Sequence, residues 1–466
     1  MNDSFIGGSF RDPSGRVAFQ NNCLIREIYQ YYKENYNRLL DSGLYQELTS
    51  QGLLVGHEEL PLNGRENSQI FKTIRPDYIP FITYPYEWSF SQLKDAALLT
   101  LDIQKCALKY GMSLKDASAY NIQFRGCTPV FIDTLSFESY QEGKPWVAYR
   151  QFCQHFLAPL ILSSYCDIRL SQLLKVYIDG VPLDLASSLL PAKTRLNPGI
   201  LMHIHMHAKY QYAYSEKGNL EYPEAQKQDI KRQALLGIID SLETVIKKLT
   251  WKPVGTEWAN YYQEGENNYT QEAFIDKKKI VEKYINQLRP VQVWDLGSNS
   301  GVFSRIASDQ GIMTVSMDID PGAVELNYQF GRENSDSNLM PLLMDICNPS
   351  PAIGWRLKER MSLLDRGPAN FLMALALIHH LVIGNNIPLS SAAQFFAGIC
   401  MNLVIEFVPR EDSQVLRMLS SRADIFHDYH ISGFRQAFAQ YFEIIDERTI
   451  RGSARSLFLM KIRGQD

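Results

Sequence analysis

The stretch Val291-Gln-Val-Trp-Asp-Leu-Gly-Ser-Asn-Ser-Gly-Val-Phe-Ser-Arg-Ile-Ala307 decides how the second half of the chain folds. The apolar residues from Val291 to Trp294 predict a strand, and Asp295 stands at its end. Gly297 and Gly301 bracket a tight turn, and the apolar spacing from Val302 onward predicts a helix. Glycine at these two positions opens backbone conformations closed to other residues and lets a ligand approach the main chain with no Cβ in the way. A phosphate-binding loop would need Lys and then Ser or Thr after the second glycine, and a dinucleotide loop would need Gly-x-Gly-x-x-Gly. Gly-Ser-Asn-Ser-Gly supplies neither, so the loop reads as a cofactor seat for which phosphate is not the favoured guest.

Asp295-Leu-Gly297-Ser-Asn-Ser-Gly301 resembles motif I of the class I S-adenosylmethionine-dependent methyltransferases, Asp/Glu-x-Gly-x-x-x-Gly. The segments that follow extend the resemblance. Gly311 to Asp320 reads as a second strand ending in Asp318, and strand ends in an open α/β sheet line the crevice where ligands sit. Pro321 then suits the first turn of a helix. Leu339-Met-Pro-Leu-Leu-Met-Asp345-Ile346 matches a third strand. The resemblance implies that Asp318 holds the ribose hydroxyls and that Asp345 reads the adenine amino group, with the backbone of Ile346 at the ring. The implied cofactor is S-adenosylmethionine, and the implied binding set is Asp295, Gly297, Ser298, Asn299, Gly301, Asp318, Ile319, Asp345 and Ile346.

Ala369 to Leu381 reads as a fourth strand running into His379-His380, and it resembles motif IV of many small-molecule methyltransferases. Histidine has a pKa suited to general-base work near neutrality, so His380 is the first candidate base and His379 the second. A structural histidine under the next helix is the competing reading. Asn402 to Pro409 is a fifth strand carrying Glu406, which would orient His380, bind a polar substrate or cap the next segment. Phe442–Ile450 and Arg455–Ile462 read as the closing antiparallel hairpin of the family. Upstream, Thr270 reads as the cap of a helix. Tyr261, Tyr262 and Tyr269 precede the first strand, where related enzymes fold elements over the cofactor, so they wall the site or pack as aromatic core.

The N-terminal half gives weaker signals. Val17–Ile28 suits a hairpin, Tyr29–Leu48 a helix and Tyr78–Trp88 a β-rich run. Ser89 reads as the cap of a helix through Tyr110. Asp116, Asn121 and a strand from Pro129 to Asp133 resemble the catalytic loop and metal-binding Asp of protein kinases and aminoglycoside phosphotransferases. That resemblance makes Asp116 a base and gives Asn121 and Asp133 to magnesium. Leu114 stands where that family has His, Thr134-Leu135 follow the second Asp in place of Phe-Gly, and the Gly-rich cover and Val-Ala-x-Lys strand are missing. The plainer alternative is that the three residues cap turns. His203, His205 and His207 would share one face of a strand but diverge on a helix, and a surface or packing role is the favoured reading over a metal site.

At 466 residues the chain exceeds one ordinary core, given about 150 residues per domain. The expected fold is α/β: a Rossmann-like seven-stranded methyltransferase domain over 255–466, preceded by an α+β, kinase-like domain over 1–250. A net charge of -4 argues against a nucleic-acid partner. Seven cysteines, odd in number and without a Cys-x-x-Cys pair, suggest reduced thiols. With no secretory signal or membrane-spanning run read from the residues, the expectation is a cytoplasmic protein. Its whole length also resembles bacterial methyltransferases grouped with a nodulation-associated protein, which implies a carbohydrate or other small-molecule acceptor with an O- or N-nucleophile. Two other readings use the same residues: a regulatory protein that holds the cofactor without turnover, and a bifunctional enzyme whose N-terminal half is a live phosphotransferase.

Overall fold

A computed structural model describes residues 4–21, 23–61, 69–209, 231–253, 269–420 and 423–464. Among these, residues within 1–124, 129–251 and 353–360 form one compact unit, and residues within 125–128, 252–352 and 361–466 form a second. Neither unit is a continuous stretch of chain.

The first unit begins with a five-stranded antiparallel sheet, order β1-β2-β3-β5-β4. Its strands are β1 (Ser4–Phe5), β2 (Gly15–Gln20), β3 (Cys23–Tyr29), β4 (His57–Leu60) and β5 (Ile70–Pro76). Helices α1 (Lys33–Asp41) and α2 (Leu44–Ser50) follow β3. They form two helices where the sequence suggested one, because Gly43 sits between them at φ +85°, a left-handed conformation that ends a helix. The aromatic run Tyr78–Trp88, expected to be β-rich, forms no strand. Pro80 and Pro85 lack the N–H a ladder needs, and Glu87 turns back to accept the Tyr84 N–H at 3.0 Å.

Ser89 then caps α3 (Phe90–Lys109) reciprocally with Gln92: the Gln92 N–H donates to Ser89 Oγ at 3.3 Å, and the Ser89 N–H donates to Gln92 Oε1 at 2.8 Å. Short strands β6 (Met112–Leu114), β7 (Ile122–Arg125), β8 (Thr128–Phe131) and β9 (Phe137–Ser139) pair β6 with β9 and β7 with β8. They frame the loop carrying Asp116 and Asn121 and the turn carrying Asp133. A small antiparallel sheet, a long helix and this framed loop make the unit kinase-like.

In the second unit α4 (Gln271–Leu288) leads into β10 (Gln292–Leu296), the short helix α5 (Ser304–Ser308), β11 (Met313–Asp318), α6 (Pro321–Glu333) and β12 (Leu339–Leu343). Then come β13 (Phe371–Ala374), β14 (Asn402–Phe407), β15 (Phe442–Thr449) and β16 (Ser456–Ile462). The sheet order is β12-β11-β10-β13-β14-β16-β15, parallel except that β16 runs antiparallel to both neighbours. Counted within the unit this is 3-2-1-4-5-7-6 with a reversed seventh strand, the class I methyltransferase sheet. The inner strands are buried on both faces, which is why they read as unbroken apolar runs instead of alternating. Ala273, Val281, Tyr284 and Ile285 of α4 pack on Val293, Phe371 and Val404. That contact turns the N-terminal end of α4 toward the carboxyl edge of the sheet.

Candidate active site

β10 carries Asp295 one residue before its end at Leu296 and turns through Gly297 to Gly301. The N–H groups of Gly297 and Ser298 both donate to Met317 O, at 2.9 and 3.0 Å, which ties the loop to β11. Asn299 takes φ +51°, a left-handed conformation that Asn tolerates better than most residues, and its N–H donates to Asp318 Oδ2 at 2.7 Å. Asp318 Oδ1 accepts from the Asp320 N–H at 2.8 Å. Asp318 therefore fixes the glycine loop and the turn after its own strand, and Asp320 caps α6 through the N–H groups of Gly322 and Ala323.

A cleft of about 370 Å³ opens at this edge, a volume suited to a nucleoside-sized ligand. Asp295, Gly297, Ser298, Asn299, Asp318, Ile319, Asp345 and Ile346 all line it. Burial pushes Asp295 up to about 7, against a 2.6 Å hydrogen bond donated by Ser304 Oγ. It pushes Asp318 up to about 6, against its two backbone donors. Gly301 is not among the lining residues. At φ +76° its Cα faces Asn327 of α6, where a Cβ would overlap Asn327 Oδ1, so its missing side chain serves helix packing and not ligand approach. Ser298 Oγ is buried against the cleft with no hydrogen-bond partner among the described residues. A site with an unmet polar group and three strand-end carboxylates fits the hydroxyls and amine of an adenosyl cofactor.

Past β13, Ala376 takes φ +52°, costly for a residue with a Cβ, and the chain turns into His379 and His380. Both histidines line the cleft, with ring centroids 4.1 Å apart. His379 is pushed far below the usual imidazole range, first by burial and then by neighbouring positive charge, and its Nδ1 has no partner among the described residues. His380 is lowered by burial and by Arg455.

Glu406 does not line the cleft, contrary to its expected place beside His380. It is wholly buried behind Tyr269, held by Lys277 Nζ at 2.7 Å and by the Tyr269 hydroxyl at 2.5 Å. Burial alone would raise Glu406, but Lys277 and Arg455 outweigh it and hold the carboxyl below its ordinary range. Its partners explain the difference: a carboxylate on an inner strand needs cations, and the two nearest are Lys277 and Arg455. Neither was singled out from the sequence. Lys277 opens Lys277-Lys-Lys279, which looks like a solvated face, yet it lies in helical phase with buried Ala273, Val281 and Tyr284. Arg455 gives no comparable signal. Tyr269 lines the cleft, whereas Tyr261 and Tyr262 lie outside the described residues.

In the kinase-like unit, Asp116, Asn121 and Asp133 come together. Asp116 is raised by burial and by the charge of Asp133, and Asn121 hydrogen-bonds to it. Asp133 accepts from the Leu135 N–H at 2.9 Å and Ser136 Oγ at 2.7 Å, and it pairs with Arg26 Nη1 of β3 at 2.5 Å. Arg26 also pairs with Asp12 at 2.8 Å. So β3 does carry a part-buried cation facing the second Asp, as arginine. The β1–β2 connection carries Gly7 and Gly8, packed so closely on Lys358 to Arg360 that a Cβ on Gly7 would overlap Lys358 O. Arg11 of the same connection pairs with Glu359 at 2.7 Å.

The three histidines of His203-Ile-His205-Met-His207 lie in a helical segment and diverge. His203 bonds Tyr149 and Ser241, and His205 bonds Ser187 and Thr194. Among the described residues no helix is long and apolar enough to cross a membrane.

No protein-family model matches the chain. Solved structures similar to it include WbdD in complex with the kinase inhibitor LY294002, at 17% identity and TM-score 0.30, covering 42% of this chain and 41% of that one. Another is magnesium protoporphyrin IX methyltransferase (ChlM) from Synechocystis PCC 6803 with bound SAM, at 16% identity and TM-score 0.32, covering 44% of this chain and 89% of that one. The match thus spans less than half of the WbdD chain. Nodulation protein NoeA of Rhizobium meliloti (strain 1021) is 34% identical over 458 residues, 97% of this chain and 95% of its own length. The chain belongs to the family of nodulation protein NoeA.

Proposed function

We propose that this protein transfers a methyl group from S-adenosylmethionine to a small-molecule or carbohydrate acceptor through an oxygen or nitrogen nucleophile. The observation that carries the reading is the gathering of Asp295, Asp318 and Asp345 on one cleft, beside the main chain of Gly297 to Asn299. Asp318, already oriented by two backbone donors, keeps lone pairs for the ribose hydroxyls, and Asp345 stands at the next strand for the adenine. When bound, the cofactor supplies a methyl group on a positively charged sulfur. The protein's part is to place an acceptor lone pair in line with it and to exclude water. His380 hydrogen-bonds the acceptor, and His379 offers its buried Nδ1 to the same group.

Calorimetry with S-adenosylmethionine, together with assay for S-adenosylhomocysteine formed in cell extract, tests this. Binding with product in some extract is the expected result. Binding without product in any extract would favour the regulatory reading instead. The bifunctional reading draws on the approach of Asp116, Asn121 and Asp133. Magnesium-dependent ATP binding that is lost in Asp133→Ala would support it, and a protein blind to nucleotide would end it.

A further inference from the structure

Two cations on the cleft are unused by the cofactor reading. Lys277 and Arg455 both line it, and they are 1% and 2% exposed. Each is held from behind. Arg455 Nε donates to Asp412 at 2.7 Å and Nη1 to the Tyr269 hydroxyl at 2.5 Å, with Glu406 at 3.6 Å. Lys277 Nζ reaches the Tyr269 hydroxyl at 3.0 Å and Glu406 at 2.7 Å. Lys277 and Arg455 against Glu406 and Asp412 make a neutral set, so the bracket stands without a ligand. It does not use up its donors. Among the described residues Arg455 Nη2 makes no hydrogen bond, and Lys277 Nζ donates one, to the Tyr269 hydroxyl, beside its ion pair with Glu406. That guanidinium edge faces the cleft and is left for a ligand to complete.

The sheet order says which ligand. Asp318 and Asp295 belong to β11 and β10, and Asp345 follows β12 by two residues, one half of the carboxyl edge. Arg455 immediately precedes β16, whose first residue pairs with Phe407 at the end of β14, and His379 follows β13. Arg455 therefore stands on the β13–β14 side of the first strand, the half left for an acceptor, and Lys277 reaches toward it from α4 past Asp295 and the ring of Phe303.

We propose that Arg455, with Lys277 beside it, seats an oxyanion of the acceptor, a carboxylate or a phosphate monoester, and that this oxygen is the methylated atom. This rests on the methyl-transfer reading above. The oxygen's lone pair forms the new O–CH3 bond as the C–S bond breaks and its electron pair stays on sulfur. One negative charge of the acceptor cancels the sulfonium charge, giving a neutral methyl ester from a carboxylate, or a singly charged methyl diester from a phosphate monoester dianion, and a neutral thioether. No proton moves, so no base is needed. That agrees with two histidines held neutral and weakly basic by burial and by the same arginine, poor partners for removing a hydroxyl proton.

The test is titration calorimetry on the full-length protein, first with S-adenosylhomocysteine and then, on the loaded protein, with glucuronate, glucose 6-phosphate and glucose. At least one of the two anions is expected to bind about tenfold or more tighter than glucose, the better of the two naming the oxyanion, and Arg455→Gln is expected to abolish the difference. Glucose binding as well as both anions, or no anion binding at all, overturns the proposal. Anions that bind only the cofactor-free protein and are displaced by S-adenosylhomocysteine also overturn it, since the seat would then belong to the methionyl carboxylate. The wild-type comparison stands even if Arg455→Gln does not fold. Failure of S-adenosylhomocysteine itself to bind sinks the cofactor reading and this one with it, whereas cofactor binding without anion selectivity sinks this one alone.

Discussion

Glu406→Gln is the sharpest test of the buried bracket. The side chains of Lys277 and Glu406 are 2% and 0% exposed and meet at 2.7 Å, so neither ion has water to fall back on. Glutamine keeps the shape and one acceptor for the Tyr269 hydroxyl, which confines the change to one charge. Arg455 then keeps Asp412 while Lys277 loses its paired carboxylate, and removing one partner of a buried pair costs about 3–5 kcal/mol. At about 2–4 °C per kcal/mol for a unit of this size, the melting transition of the methyltransferase unit should fall by roughly 10 °C in calorimetry. Lys277→Met combined with Glu406→Gln should recover about 2 kcal/mol of the loss, because the orphaned cation is gone.

The sign with pH follows from a carboxyl whose folded pKa lies below its unfolded one. The pair's contribution is present above the unfolded value of about 4.5 and is lost as pH falls through the lower folded value. The gap between wild type and Glu406→Gln should therefore be constant from pH 6 to 8. A single-variant loss below about 1 kcal/mol, or strict additivity in the double variant, would refute the ion-pair account.

Asp318→Ala should weaken S-adenosylmethionine binding by about 10- to 100-fold, whereas Asp320→Ala, which removes the cap of α6, should cost about 1 kcal/mol of stability and change the affinity far less; calorimetry and thermal melts separate the two. Asp295 and Asp318, raised to about 7 and about 6 by burial, keep protons in the folded state that the unfolded chain has lost, so stability of this unit should decline as pH rises from about 4 to 7. A cationic sulfonium drives those protons off, so affinity for S-adenosylmethionine should rise with pH up to about 7 and then level, with S-adenosylhomocysteine showing a shallower slope; equal slopes for the two would contradict this. Gly301→Ala should lower stability by about 1–2 kcal/mol from its left-handed backbone alone, with a further loss from overlap with Asn327 that Asn327→Ala relieves in thermal melts.

The class I sheet was legible because its inner strands are buried on both faces and end in acids at the edge where ligands sit. Apolar-rich strands leading to Asp295, Asp318 and Asp345 leave little else to be. The cofactor wall could be read from those residues because each lies within a few positions of its strand end. The bracket could not, because Lys277, Arg455 and Glu406 are brought together from a helix, a hairpin and a strand far apart in the chain, and local spacing carries no trace of such a meeting. Glu406 was noticed but misassigned for the same reason: a strand-end carboxylate shows that it needs a partner and not which one. Gly301 was read as ligand clearance when its clearance is for Asn327, since positive φ looks the same in sequence whatever it serves. In the kinase-like unit the Asp-x4-Asn spacing was visible, while the cation on β3 was missed because it is Arg26 and not a lysine.

The membership of residues 353–360 in the kinase-like unit bears on how the protein can be divided. These eight residues come from the connection between β12 and β13, more than a hundred positions past Trp251, yet they supply the groups against which Gly7 and Arg11 are seated. Cutting the gene once near codon 251 would thus yield an N-terminal fragment in which Gly7 and Gly8 lose the segment packed on them and Arg11 keeps Asp179 but loses Glu359. The complementary fragment would carry an orphaned loop. The two halves are better thought of as co-inherited parts than as beads that can be strung separately.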